Sequence, residues 1–175
     1  MTAGLVHRPV ATIAALGTLL LIGGPPSATK VNFQSIVPGS SVSQPFGCSG
    51  LVLEPKDPSC PLGHFHSGID LAAAAGTPVF AAAGGVVSVG EDPLGYGIFV
   101  IVTQDSRTTW IYGHLLSESV ASESSVRPGQ EIGLLGSTGL STGPHLHFEV
   151  RRDGRPVDPS LEFPASPPVE VFGHG

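Results

Sequence analysis

Gly143-Pro144-His145-Leu146-His147-Phe148-Glu149-Val150-Arg151-Arg152 is the stretch whose reading decides the fold. As a β-strand, it alternates its side chains between two faces. His145 and His147 share one face, about 7 Å apart at Cα, while Leu146 and Phe148 take the other and can pack into a core. Gly143-Pro144 stiffens the approach and starts the strand. Asp153-Gly154 then turns the chain into Arg155-Pro156-Val157.

The same texture runs outward from this strand. Thr77 to Ala81 follows a Gly turn, and Gly85 to Gly90 is bounded by glycines. Tyr96 to Thr103 and Thr108 to Leu115 are β-branched and aromatic runs with Asp105-Ser106 between them, which predicts a hairpin. Glu131 to Leu135 completes the set. No segment after residue 30 keeps a 3.6-residue period for ten residues or more; Ala72 to Ala75 runs straight into Gly76. Regular short strands with frequent Gly predict an all-β domain with an antiparallel sheet. The domain is expected to span 42–162, after a polar, Ser-containing linker or entering strand at 31–41. The Pro-rich segment 163–175, which holds His174, reads as a disordered tail.

Composition sets limits on function. Hydrophobic residues make up 41% of the 175, enough for a core. Charged residues are only 13%, Gly and Pro number 24 and 17, and the net charge is −6. No Lys/Arg cluster exists to grip a phosphate backbone, so nucleic acid is excluded as a partner. Arg151-Arg152 reads as a solvated strand end. At the N-terminus, His7 and Arg8 precede an uncharged stretch from Val10 to Gly24, which Pro25-Pro26 ends. Its length suits a signal-peptide core, so 1–30 predicts export. An Ala-x-Ala site is missing, because Pro26 stands two before Ala28; a cleaved signal and a retained membrane anchor both fit. In an exported chain, Cys48 and Cys60 read as a disulfide closing a short polar loop. As zinc ligands they lack the tight spacing of a zinc knuckle.

The chemistry lies in three short motifs: His66-Ser67-Gly68-Ile69-Asp70, Tyr112-Gly113-His114-Leu115, and His145-Leu146-His147. His and Asp are ligands that zinc prefers, and a catalytic zinc keeps three protein ligands and one open position. On a flat strand His66 and Asp70 would stand about 13 Å apart, too far for one ion. Joint ligation therefore requires a bend, and Gly68 sits at its midpoint, tolerant of unusual dihedrals and without a side chain. Of His145 and His147, one can bind metal while the other stands beside the open position. The helical His-Glu-x-x-His arrangement is absent.

Together with Gly76-Thr77-Pro78-Val79 and the long run Thr138-Gly139-Leu140-Ser141-Thr142-Gly143-Pro144-His145-Leu146-His147-Phe148-Glu149, these motifs resemble the lysostaphin and LytM family of zinc endopeptidases. The resemblance extends from about Val42 to Pro159. It implies a lysostaphin-like hybrid barrel-sandwich topology and one Zn2+ held by His66, Asp70 and His147. It further implies catalytic parts for His145, as general base, and His114, as oxyanion stabiliser, with either imidazole able to be the base. The substrates implied are peptide bonds of bacterial peptidoglycan, in cross-links or interpeptide bridges. Many members carry a further His before the Tyr112 motif, where this chain has Val102-Thr103-Gln104-Asp105.

Other readings bound this one. His64 reads as a rim histidine or an accessory substrate residue. Tyr96, Trp110 and Tyr112 read as core or cross-strand packing more than groove lining. Ser141 and Thr142 lack a nucleophile elbow and read as turn residues. The chain also resembles, at Val86-Val87 and Val126 to Gly133, a biotinyl or lipoyl carrier barrel; its last lysine is Lys56, so carrier chemistry is excluded. A second class of function is a non-catalytic wall-binding module that activates a partner hydrolase. Activators in the family have lost metal or catalytic residues, and all five are present here.

Overall fold

Alternation along His145–Arg152 places Leu146, Phe148 and Val150 in the core with no exposed surface, and turns His145, His147 and Glu149 to the opposite face. Around this strand the chain forms an all-β, antiparallel structure. The computed structural model describes Met1 and residues 32–163. The segment 2–31, read as an export signal or membrane anchor, and the tail 164–175 lie outside the described residues. Among the described residues, no helix is long and apolar enough to cross a membrane.

A one-turn helix, α1 (Phe33–Ile36), precedes twelve strands. These are β1 (Ser41–Gln44), β2 (Gly47–Ser49), β3 (His64–His66), β4 (Ile69–Ala72), β5 (Pro78–Phe80) and β6 (Gly85–Asp92). Then follow β7 (Gly97–Thr103), β8 (Thr108–Glu118), β9 (Ser125–Val126), β10 (Glu131–Leu135), β11 (His145–Arg152) and β12 (Arg155–Val157). The large sheet runs β1-β4-β11-β8-β7-β6-β9, with β12 beside β11, and β10 between β8 and β5; β2 and β3 form a separate ribbon.

The path of β8 decides where the site lies. Its first half, Thr108 to Gly113, pairs with β11, and its second half, Leu115 to Glu118, pairs with β10. β7 follows it on the other side, with a register shift between Ile98 and Val100. His114 stands at this fork with φ of +61°, a left-handed backbone uncommon for a side chain other than Gly. The extra residue breaks the alternation and re-aims the imidazole.

The segment read as linker is structured. Asn32 caps α1 by accepting from the Ser35 amide, while its own amide donates to Ser35 Oγ, each at 2.9 Å. Ile36 and Val37 are fully buried in the core. Phe163, read as the start of the tail, packs with Phe33, Trp110 and Phe148. Trp110 and Tyr112 belong to the core, and the Tyr112 hydroxyl accepts from the Ala82 amide at 2.8 Å. Arg152 is the solvated strand end expected, pairing with Glu162, whereas Arg151 turns back onto Glu149.

Cys48 and Cys60 are joined as a disulfide, twelve residues apart. The loop they close is further fixed by the β2–β3 ladder and by the Phe65 amide donating to the Pro55 carbonyl at 3.0 Å. Replacing both cysteines by Ser should lower stability by about 2–3 kcal/mol, read from denaturant unfolding. Two thiols counted by alkylation of the native protein would contradict the pairing.

Candidate metal centre and active site

The pairing of β4 with β11 sets His147 directly opposite Asp70. Residues so paired have Cβ atoms about 5 Å apart on one face. His66 arrives from the other ribbon, since Ser67-Gly68 breaks the strand between β3 and β4. The bend at Gly68 is therefore present, but its φ is not positive. Its glycine is required instead by close approach: a Cβ there would lie 2.6 Å from the Phe148 carbonyl and 2.9 Å from the His147 ring.

Three ligand atoms converge as a result. His66 Nε2 lies 3.1 Å from Asp70 Oδ1 and 3.1 Å from His147 Nδ1, which is 3.2 Å from Asp70 Oδ1. All three residues are buried. Two ligands each about 2.0–2.1 Å from one tetrahedral ion stand about 3.3 Å apart, so the spacing suits zinc.

Tautomers strengthen the fit. His66 Nδ1 donates to the Pro45 carbonyl at 2.9 Å, which leaves Nε2 a lone pair. His147 Nε2 donates to the Glu149 carboxylate at 3.3 Å, which leaves Nδ1 a lone pair. With neutral imidazoles, two nitrogen lone pairs and a carboxylate oxygen face one another with no proton between them. Such a cluster demands a cation. The metal-free site meets that demand with a proton: burial opposes the charge on His147, but Asp70 and Glu149 raise its pKa to about 9. Burial likewise opposes ionising Asp70, yet hydrogen bonds from His147 and His66 hold its carboxyl well below the usual range.

Glu149, unassigned from sequence, anchors the second layer. Fully buried, it accepts from Ser67 Oγ at 2.7 Å and Tyr96 OH at 2.6 Å, and Arg151 Nε completes its shell. Burial works against its charge, but donors led by His147 and Tyr96 bring its pKa down to about 2. A carboxylate behind a metal-ligating His fixes the ring and raises its basicity. The signal for Glu149 was its position two after His147, on the same strand face. Tyr96 is the aromatic that reaches the groove; burial and the Glu149 charge push its phenol up to about 12, so it remains a donor.

His114 and His145 stand beside the donors, their ring centroids 4.7 Å apart. Each is held through Nδ1: His114 donates to the Thr138 carbonyl and His145 to the Gly143 carbonyl, both at 2.8 Å. Nε2 is thus the working atom of both. That of His145 lies 3.6 Å from Asp70 Oδ2. Burial drives the His114 pKa down to about 4, against the Thr138 bond that favours charge, so its imidazole is neutral at physiological pH. Ser141 serves the turn, its hydroxyl donating to the Gly143 carbonyl at 2.9 Å. All five sequence-predicted residues therefore meet, four of them lining one groove and His66 behind it.

The sequence pattern of Peptidase family M23 matches residues 64–159, more than half of the chain, and the protein belongs to that family. The DD-carboxypeptidase/endopeptidase Mpg of Neisseria meningitidis serogroup B is 49% identical over 94 residues, 54% of this chain and 22% of that protein. Murein hydrolase activator EnvC of Escherichia coli K12 is 40% identical over 92 residues, 53% of this chain and 22% of that one. The chain thus spans about a fifth of the length of these curated relatives. Among solved structures, a zinc containing peptidase from Vibrio cholerae superposes with a TM-score of 0.62 at 32% identity, covering 76% of this chain and 39% of that one. The catalytic domain of lysostaphin from Staphylococcus simulans gives 0.58 at 29% identity, covering 70% and 90%.

The backbone at His114 supplies a test. A left-handed residue costs roughly 1–2 kcal/mol unless it is Gly. His114→Gly should therefore be about 1 kcal/mol more stable than His114→Ala in denaturant melts of the metal-free protein. Equal stabilities would contradict the strained bulge.

Proposed function

We propose that the protein is an exported zinc endopeptidase that hydrolyses peptide bonds of bacterial peptidoglycan. The observation carrying this reading is the convergence of His66 Nε2, Asp70 Oδ1 and His147 Nδ1 on one point beside two imidazoles the metal does not need. Zinc bound there would polarise the scissile carbonyl and lower the pKa of water toward about 7.

The chain's own residues do the rest. Pro45 and Glu149 hold the two ligating rings in the tautomers that present lone pairs. The Nε2 atoms of His114 and His145 are proton acceptors in the neutral form, because each Nδ1–H is committed to a backbone carbonyl. An imidazole that takes the proton of the attacking water becomes a donor, able to protonate the leaving amine or hydrogen-bond the carbonyl oxygen as it gains charge. His145 Nε2 faces Asp70 Oδ2 at 3.6 Å, beside the position the ion would take. His114, neutral at physiological pH, begins as an acceptor, and its part as oxyanion donor follows only after proton uptake.

The match to a murein hydrolase activator supports a second reading, in which the groove binds wall peptide or a partner without cutting. Retention of every donor and of both extra histidines favours catalysis. Export rests on the N-terminal segment and on the disulfide.

His114→Ala and His145→Ala should each keep one zinc yet lose roughly 100-fold or more in turnover of purified walls. Asp70→Ala and His147→Ala should lose the metal on dialysis. A wild-type protein that is inert on walls of every chemotype, but stimulates a partner amidase, would establish the activator reading instead.

A further inference from the structure

The groove, about 510 Å3, carries a polar feature that hydrolysis itself does not use. Its lining includes Glu54 and Asp92 besides Asp70, and no Lys or Arg. Glu54 belongs to the disulfide-closed loop, which precedes residue 64, where the family match begins.

Glu54 is held on three sides. Its carbonyl accepts from His64 Nδ1 at 2.7 Å, which gives that extra histidine its task. The next carbonyl, of Pro55, accepts from the Phe65 amide at 3.0 Å. Its carboxylate Oε1 accepts from Gln44 Nε2 at 2.9 Å, and Oε2 makes no hydrogen bond among the described residues. Gln44 in turn pairs with Asp70 across β1 and β4. Glu54 and Asp70 line the one groove, so a peptide lying along it passes both. Leu51 and Leu53, on the same loop, give the wall an apolar surface beside the charge.

A half-buried carboxylate, fixed before binding, with one oxygen free and no Lys or Arg beside it among the described residues of the groove, is built to receive a positive group. Fixing it beforehand lowers the entropy lost on binding. The Asp92 carboxylate and the net charge of −6 add fields of the same sign at the Glu54 end of the groove. We propose that Glu54 is a specificity residue: it takes an ammonium group that the substrate peptide carries near the scissile bond. This rests on the peptidase reading above and names the class of peptide that the site selects.

Cross-linked muropeptides from a purified wall, divided and N-acetylated in one half, provide the test. The zinc-loaded wild-type protein should cut the free-amine half about ten-fold faster in kcat/KM, and this ratio should shrink as salt is raised. In Glu54→Gln, which keeps the shape and the Gln44 contact region, the ratio should fall toward one while zinc content and the disulfide are unchanged. A ratio near one in the wild type, or a full ratio retained in Glu54→Gln, overturns the inference and leaves the peptidase reading standing. A wild type that cuts neither half, nor any other wall, removes both.

Discussion

Asp70 stands opposite His147 across the β4–β11 ladder, and the site depends on that register. A slip of one residue would turn His147 into the core and bring Leu146 or Phe148 to the metal face. Leu71 and Ile69, paired with Leu146 and Phe148 on the buried side, oppose such a slip because it would take Leu146 and Phe148 away from them and out of the core. The hydrophobic core and the candidate metal centre are therefore two faces of one ladder. Gly68 leaves the room that the imidazole occupies, and Gly113, paired with His147 from β8, leaves room for the Tyr96 ring.

Around that ladder the acceptors are arranged so that lone pairs, not hydrogens, point inward. The Pro45 carbonyl takes the outer proton of His66, and Glu149 takes that of His147. The cost of burying Glu149 as an anion is offset by Ser67, Tyr96 and Arg151 as well as His147. The two remaining imidazoles are tethered in the same manner, by Thr138 and Gly143, so four rings present one nitrogen each under backbone or carboxylate control. Orientation of this kind, set by groups behind the ligands, is what holds a catalytic geometry before substrate arrives.

Much of this was legible in the sequence, because a strand with one buried face writes its pairing into alternate residues. β11 and its turn follow from that alternation, β7, β10 and the cores of β6 and β8 from Gly-bounded, β-branched and aromatic runs, and the cysteine pair from spacing and the expectation of export. Glu149 could have been read by continuing the alternation one step beyond His147. Other features leave no such trace. A one-turn helix has no periodicity, so α1 read as linker although Ile36 and Val37 are core. The bulge at His114 arises where β8 exchanges β11 for β10, a fork that exists only in three dimensions. The carbonyls of Pro45, Thr138 and Gly143 act through the backbone, which every residue shares. The bend expected at Gly68 is present, but what requires glycine there is the Phe148 carbonyl and the His147 ring packed against it, not an unusual dihedral.

The claim on which the account turns is that two imidazole nitrogens and one carboxylate oxygen bind a single zinc ion. X-ray absorption at the zinc K-edge of the purified, disulfide-intact protein tests it most directly. The account predicts one zinc per chain with a shell of nitrogen and oxygen at about 2.0–2.1 Å, an imidazole scattering pattern from two rings, and no sulfur. A sulfur shell at about 2.3 Å, or a shell of oxygen alone, would contradict it.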